Sequence, residues 1–471
     1  MSIKKVLLIN PPFPMEERYQ KSFKKAGTSL PKLGMLYVAS AIEEAGYDVR
    51  ILDAQLERYN IAETTKAALE FSPDIIGITT ETANMNRSRL LAEDIKRKKI
   101  PIVFGGPHPT LLPHEVLSSD AIDFVVIGEG EVTIVELLNV LNMENPLEEF
   151  SNIKGIGFKK DNQIVLTERR DRLKNLDSIK FPARHLIDFK RYHPSPHQYK
   201  QLPVMNMTTS RGCPFTCSFC SSSNIWEKKY IVRSVDNVIE EIVDSQKRYG
   251  IKEIAFWDDI WGISDKWIEE FCDRIIKEKI NVLWSCECRV DTVTQKALEK
   301  MAEAGCWKIF YGIETLDEEI LAAINKKSNL EKIYNAVQWT KKAGIEIHGN
   351  FILGLPKETP EKVRTMVKRI CTLPLDYAKF NVLTPYPGTV LYKEIKDGKW
   401  GKYIENFDKL TLHHVTFIPF GYTDFDELDR IRKYALRKFY FRFRYIAERV
   451  LLIRTAEDVK RYYRGFQALL G

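Results

Sequence analysis

The chain has 471 residues, 44% of them hydrophobic and 29% charged, which suits a soluble globular protein of about three domains. A net charge of +7 is mild for this length and singles out neither a nucleic acid nor a membrane as partner. Eight cysteines, three of them clustered, do not form the disulfide framework of a small secreted domain. The first apolar run is too short for a signal peptide, and no run approaches the roughly 18 residues of a spanning helix. The expected setting is a reducing cytoplasm.

Residues 1–150 alternate β-branched runs with helical stretches. Strands are predicted at Val6–Asn10, Val49–Leu52, Ile75–Thr80, Ile102–Gly105 and Phe124–Ile127. Helices are predicted near Leu33–Ala45, Ala62–Phe71, Arg87–Lys98 and Val132–Leu141. That rhythm argues for parallel strands joined by crossover helices, and the continuous apolar strands argue for a sheet covered on both faces. Ligands of such sheets bind beyond the carboxyl ends of the strands. The loops there are Thr79-Thr80-Glu81-Thr82, Gly105-Gly106-Pro107-His108-Pro109 and Gly128-Glu129-Gly130-Glu131. No G-x-G-x-x-G follows the first strand, which weakens a dinucleotide reading.

Asn10-Pro11-Pro12, Gly105-Gly106-Pro107-His108 and Ile127-Gly128-Glu129-Gly130-Glu131 together resemble the cobalamin-binding domain that precedes many radical SAM cores. The resemblance implies a Rossmann-like domain that binds cobalamin through Asn10, Pro11, Thr79, Thr80, Gly105, Gly106, His108, Gly128, Glu129 and Gly130. One cobalamin pattern, Asp-x-His-x-x-Gly, is missing: the region reads Pro11-Pro12-Phe13-Pro14-Met15-Glu16. The lower cobalt face is then left without a protein ligand. His108 is expected to hydrogen-bond the backbone or a corrin amide rather than cobalt. The alternative is a domain that keeps the fold and has lost cobalamin.

Residues 151–202 read as a linker, with a small hairpin at Ile153–Phe158 and Gln163–Leu166 and an aperiodic, proline-rich end. His193 and His197 are expected to be solvated there.

Residues 203–396 open with a short strand, Val204 to Thr208, followed by Cys213-Pro214-Phe215-Thr216-Cys217-Ser218-Phe219-Cys220. Three thiolates on one loop can hold an iron–sulfur cluster, zinc or copper(I). A zinc site needs a fourth ligand, for which His185, His193 and His197 are the upstream candidates. A four-iron cubane instead keeps one iron free of protein. The spacing C-x3-C-x2-C, with Phe219 before the last cysteine, resembles the signature of the radical SAM superfamily. The resemblance implies that S-adenosylmethionine (SAM) chelates the open iron and that an electron from the cluster cleaves it to a 5′-deoxyadenosyl radical.

Strands are predicted next at Glu253–Trp257, Val282–Cys286, Lys308–Gly312, Glu346–Leu353 and Tyr377–Leu383. Helices follow near Val235–Tyr249, Ser264–Lys277, Gln295–Ala304, Leu330–Ala343 and Pro360–Thr372. This is the pattern of an open six-stranded βα barrel, whose functional groups gather at the carboxyl strand ends. Resemblance assigns SAM contacts there to Phe219, Asp258, Asp259, Arg289, Glu314, Gly349, Ile352 and Gly354. Asp258 or Asp259 would receive the amino group and Arg289 the carboxylate. Glu314 would take the ribose hydroxyls or the amino group, and the glycines would lie against adenine. Cys286 and Cys288 are expected as small packed residues, and Cys272, Cys306 and Cys371 as core.

Residues 397–471 are expected to form a helical extension. Its long helix carries Ile431, Ala435, Phe439, Phe443, Ile446, Val450 and Ile453 at gaps of three or four, opposite Arg432, Lys433, Arg437, Arg442, Arg444 and Arg449. The expectation is packing on the barrel with a solvated basic face; an interfacial helix on anionic lipid is the sharper alternative. Nucleic acid is not expected.

The fold expected is therefore α/β: a Rossmann-like cobalamin-binding domain, a partial (βα)6 radical SAM barrel and a C-terminal helical extension. The cofactors implied are a [4Fe-4S] cluster, SAM and cobalamin, with flavodoxin or ferredoxin as reductant. The leading expectation is methylation of an unactivated carbon in a small molecule or lipid. The alternatives are a radical cyclase, rearranging or lipid-modifying enzyme without working cobalamin, and a non-catalytic metal-binding protein.

Overall fold

The computed structural model describes residues 2–14, 17, 30–451 and 459. Two compact units emerge, one built on 2–14, 30–192 and 224–227, the other on 193–223 and 228–451.

The first unit is a seven-stranded sheet. Its strands are β1 (Lys5–Asn10), β2 (Asp48–Asp53), β3 (Ile75–Thr79), β4 (Ile102–Gly105), β5 (Phe124–Val126), β6 (Ile156–Lys160) and β7 (Gln163–Leu166), in the order β2-β1-β3-β4-β5-β6-β7. The first five are parallel. Alternation along β1 explains the layering: Val6 and Leu8 enter one core with Ile42 and Leu137, while Leu7 and Ile9 enter the other with Leu91 and Phe104. Both faces are covered, as parallel strands require. The hairpin read from sequence as part of the linker is instead the antiparallel edge of this sheet, with Phe158 beside Phe124. Phe158 and Phe150 pack at 5.4 Å between ring centroids, so the apolar edge of β5 is covered.

The second unit carries β8 (Val204–Met207), the short antiparallel pair β9 (Ser210–Arg211) and β10 (Ile231–Val232), then β11 (Glu253–Phe256), β12 (Leu283–Cys288), β13 (Cys306–Glu314), β14 (Glu346–Leu353) and β15 (Tyr377–Val382). Strands β8 and β11 to β15 make one parallel sheet in chain order, the open (βα)6 arrangement. The returning helices begin where a side-chain oxygen meets the first-turn amides: Ser234, Ser264, Thr294, Asn329 and Thr359 each cap one.

The amino-terminal end of this sheet is plugged by the stretch before β8. His197, expected in solvent, lies against His348 at 5.5 Å between ring centroids, and its carbonyl accepts from Lys308 Nζ at 2.6 Å. Burial and the Lys308 charge push its pKa down to about 3, so it stays neutral. Glu253 accepts from the amides of Lys200 and Gln201, both at 2.8 Å, and fixes the same plug.

The C-terminal helix also differs from expectation. It breaks after Tyr440 into Phe425–Tyr440 and Phe443–Leu451. Ile431, Ala435 and Phe439 are buried as expected, but Phe443, Ile446 and Val450 are exposed, and Arg432 and Arg449, assigned to the solvated face, are buried. Arg449 turns inward onto Asp376 at 2.6 Å, where Lys341 and the Ile347 amide also meet that carboxylate. Ile453 lies outside the described residues.

Candidate cofactor sites

In the barrel unit, β8 runs into Thr209 and Ser210, and Asp258 on the neighbouring loop holds them. Its Oδ1 accepts from the Thr209 amide and hydroxyl, both at 2.9 Å, and from the Ser210 hydroxyl at 2.6 Å. The cysteine loop that follows is stitched down from the short helices that follow two other strands. The Ser218 amide donates to Ile324 O and its carbonyl accepts from the Leu391 amide, both at 2.9 Å, while Asn325 donates to Thr216 O at 2.8 Å. Phe219 packs on the apolar cluster of Ile320, Leu355 and Leu391, which Ile352 also joins.

All three thiols are free. Arg289 donates from Nη1 to Cys217 Sγ at 3.4 Å and lies 3.8 Å from the Phe215 ring centroid. Burial pushes the Cys213 thiol up and Cys220 up to about 12, so these two become thiolates only when a metal displaces their protons. Three soft thiol donors on one braced loop, one beside a guanidinium, fit an iron–sulfur cluster by the chemistry of the donor set. Among the described residues no three His, Cys, Asp or Glu side chains gather closely enough to hold a single metal ion.

The remaining SAM candidates are placed as follows. Asp258 is a buried brace whose carboxyl is pushed up to about 7 by burial, and its Oδ2 has no partner among the described residues. Asp259 is exposed and accepts from the Gly212 amide at 3.2 Å, at the entrance to the cysteine loop. The fork of Arg289, expected on the SAM carboxylate, is clamped by Asp291 at 2.8 and 2.7 Å. A carboxylate ligand would have to share it. Glu314 sits at an irregularity of β13 with φ of 67°, and its buried carboxylate accepts from Lys326 Nζ at 2.8 Å. Gly349 lies in mid-strand, packed against Phe351, Leu375 and Ile313, rather than at the strand end. Gly354 does lie past the end of β14 with φ of +82°, and its amide donates to Glu358.

Sequence reasoning missed several groups here. Asp291 and Lys326 neutralise the two charges on which it relied, and Glu358 braces Gly354. Glu287 on β12 also escaped it; its side chain is open to solvent, while the protein packed around it pushes its carboxyl up to about 7 against the pull of Lys379. Asp291, two residues after Arg289, and Glu358, four after Gly354, were the ones with a signal at short range. Lys326, twelve residues after Glu314, had none.

In the sheet unit, the chain reverses winding direction between β1 and β3, and Asn10 and Thr80 stand at the carboxyl ends of those strands. In doubly wound sheets this switch point is where the ligand crevice forms. Asn10 Nδ2 donates to Asp53 at 2.8 Å, and Tyr192 donates to the other Asp53 oxygen at 2.9 Å. Asn10 Oδ1 and Thr80 Oγ1 are buried without partners among the described residues. Pro11 is buried beside Asn10, and Thr79 ends β3. Gly106 has φ of +106°, and a Cβ there would lie 2.9 Å from Thr80 O, so the two loops touch through glycine alone. Gly105 ends β4, Gly128 has φ of +84°, and Gly130 opens the helix Gly130–Leu141. Orphaned polar atoms and close glycine backbone fit the amide-rich edge of a corrin.

Two of the named residues are turned inward. His108 is fully buried, with Nδ1 3.2 Å from Thr82 Oγ1 and Nε2 2.9 Å from Glu115. Both ring nitrogens are engaged, so it shapes the loop rather than presenting a ligand. Glu129 accepts from Arg172 and from the Leu173 amide, both at 2.9 Å.

Comparison with known proteins agrees with this architecture. A B12 binding domain model matches residues 22–138 and a Radical SAM superfamily model matches 207–370. An uncharacterized methyltransferase of Pyrococcus horikoshii is 34% identical over 99% of this chain and 98% of its own. An anaerobic magnesium-protoporphyrin IX monomethyl ester cyclase of Cereibacter sphaeroides is 29% identical over 88% of this chain and 68% of its own. The radical SAM methyltransferase TsrM of Kitasatospora setae, solved with cobalamin and a [4Fe-4S] cluster, shares the fold with a TM-score of 0.69 at 19% identity, over 86% of this chain and 80% of that one. The chain belongs to the radical SAM enzymes that carry a cobalamin-binding domain. It is an enzyme, and its cofactors are those of that family: a [4Fe-4S] cluster, SAM and cobalamin.

Proposed function

We propose that the protein is a cobalamin-dependent methyltransferase acting on an unactivated carbon of a small molecule or lipid. The observation that carries the reading is the braced loop of three free thiols at the carboxyl end of β8, in a chain that also offers a crevice with orphaned polar atoms at the β1/β3 switch point. Cys213, Cys217 and Cys220 would hold the cluster. Phe219, Asp258, Asp259, Arg289, Glu314, Gly349, Ile352 and Gly354 belong to the SAM site, some by contact, Asp258 by bracing and Gly349 through the packing of β14 behind the site. Asn10, Pro11, Thr79, Thr80, Gly105, Gly106, His108, Gly128, Glu129 and Gly130 shape the corrin site.

Bound in these places, the cofactors supply a carbon-centred radical able to remove hydrogen and a methyl group able to replace it. The residues of the chain orient them. Arg289 keeps positive charge beside Cys217, Glu314 offers a buried carboxylate to donors of the ligand, and Gly354 brings backbone close to a flat ring. A one-electron donor of the flavodoxin or ferredoxin type and contact of the C-terminal helix with a membrane surface complete the reading.

A radical ring closure is the second reading, supported by the likeness to the cyclase of Cereibacter sphaeroides. Anaerobic reconstitution with iron, sulfide and cobalamin, followed by incubation with methyl-labelled SAM and candidate substrates, tests the proposal. Label transferred to product supports methylation; product formed without label supports the cyclase reading and removes the first.

A further inference from the structure

A surface helix ordinarily turns its apolar residues inward. The helix Phe443–Leu451 does the reverse. Its inward side is held by polar groups and one aromatic ring: Tyr445, packed against Phe439 and Tyr440, donates to Asp376 O at 3.0 Å, and Arg449 donates to Asp376 Oδ1 at 2.6 Å. Arg442, just before the helix, reaches Cys371 O. These bonds rivet the helix to the segment leading into β15. Its outward side carries Phe443 at 89% exposure, Ile446 at 45%, Val450 at 59% and Leu451 at 80%, with Phe441 at 42% beside them. Positions 443, 446, 450 and 451 share one face of a helix, so the patch is continuous. An exposed apolar stripe of this kind marks a surface that meets something.

The flank of the stripe says what. The preceding helix, Phe425–Tyr440, presents a groove lined by Arg430, Lys433, Tyr434, Arg437, Lys438 and Arg442. Asp429 pairs with Lys433 at 2.9 Å, and Glu448 pairs with Arg444 at 2.8 Å. Arg437 and Lys438 have no acidic partner among the described residues, so the groove keeps a positive surplus. A second copy of this face would set two basic grooves against each other, which like-charge repulsion penalises. Phe443 and Phe441 offer a plane to a base, but Ile446, Val450 and Leu451 on the same face do not, and an aliphatic majority suits an acyl layer better than stacked bases. Apolar side chains that enter an acyl layer, beside cations that meet headgroups, match an anionic bilayer.

We infer that the outward face of Phe443–Leu451 and the basic groove beside it form a docking surface for an anionic lipid bilayer. The inference deepens the membrane-contact part of the proposed function and concerns where the enzyme sits, not its chemistry. Docking needs neither cluster nor cobalamin, so its failure would leave the catalytic reading standing, and the converse holds.

Flotation of the full-length chain with vesicles tests it. With phosphatidylglycerol mixed into phosphatidylcholine, the chain floats, and added salt reduces the floating fraction; with phosphatidylcholine alone it stays in the soluble fraction. Phe443→Ser with Leu451→Ser and, separately, Arg437→Glu with Lys438→Glu lower the partition, the charge pair by about fivefold or more for each cation lost. All four positions lie outside the catalytic and binding machinery, so circular dichroism and 5′-deoxyadenosine formation stay at the level of the unaltered chain. The inference is overturned if the unaltered chain does not float with anionic vesicles. It is equally overturned if both variant pairs float like it, or if sedimentation shows a dimer that the apolar pair dissociates.

Discussion

Arg289 serves two partners at once: Nη1 meets Cys217 Sγ at 3.4 Å while Nε and Nη2 grip Asp291 at 2.8 and 2.7 Å. Arginine and aspartate are both buried. Removing one member of such a pair strands the other charge, at a cost of about 3 kcal/mol or more. Asp291→Ala is therefore expected to lower thermal stability and to loosen the cation over Cys217. Arg289→Lys cannot reproduce the fork, and a lower iron content after reconstitution is the expected result. Iron analysis beside a melting curve reads both; an Arg289→Lys chain with full iron and unchanged melting would contradict this role.

Glu314 and Lys326 form a second buried couple, at 2.8 Å, on a residue held in the left-handed region. Glu314→Ala keeps the backbone strain and orphans a buried ammonium, so a loss of about 3 kcal/mol is expected. Adding Lys326→Met removes the orphan and restores most of that stability, but not SAM affinity. Gly312→Ala would place a Cβ 2.7 Å from Glu314 Oε1 and disturb the couple from the strand side. Denaturant unfolding and SAM binding, measured on the three chains, separate the structural share from the binding share.

Glu358 gives the pH dependence a definite sign. Its Oε1 accepts from the Gly354 amide and from the Tyr422 hydroxyl at 2.7 Å, and burial lifts its pKa to about 8. The folded state thus holds the proton between about pH 4.5, the ordinary carboxyl value, and about pH 8, where the unfolded chain has released it. Stability from this group is complete at the acid end of that window and falls as pH rises through it. Glu358→Gln is expected to make the slope shallower and to gain about 1 kcal/mol relative to the parent at pH 8. Melting of the cofactor-free chain across the window checks it.

His108 leads to a spectroscopic prediction. With both ring nitrogens engaged by Thr82 and Glu115 inside the loop, it has none to offer a metal. Cobalamin bound in its reduced, paramagnetic form is expected to show no nitrogen splitting from a protein imidazole. His108→Ala is expected to weaken cobalamin retention by loosening the loop while leaving that pattern unchanged. A nitrogen splitting that vanishes in His108→Ala would reverse the assignment.

What the sequence made legible follows from the range of the interactions. Strand positions in both units were readable because apolar period and glycine are local, and β4 and β14 fall where the periodicity put them. Family likeness reached the cysteine loop for the same reason. The destination of most polar side chains was not local. Lys326 came to Glu314 from twelve residues further along the chain, and His197 went under the barrel, against His348 and Lys308. The C-terminal helix shows the limit of periodicity: a three-and-four spacing marks a face, but Asp376 decided which face of Phe443–Leu451 turned inward.

The most direct test of the central claim is the yield of 5′-deoxyadenosine from SAM under reducing, oxygen-free conditions, for the reconstituted chain and for Cys213→Ala, Cys217→Ala and Cys220→Ala. The account predicts cleavage by the parent, with the electron spin resonance signal of a reduced cubane, and none by any of the three variants. Cleavage undiminished in one of them, or a parent that binds zinc and leaves SAM intact, would contradict it.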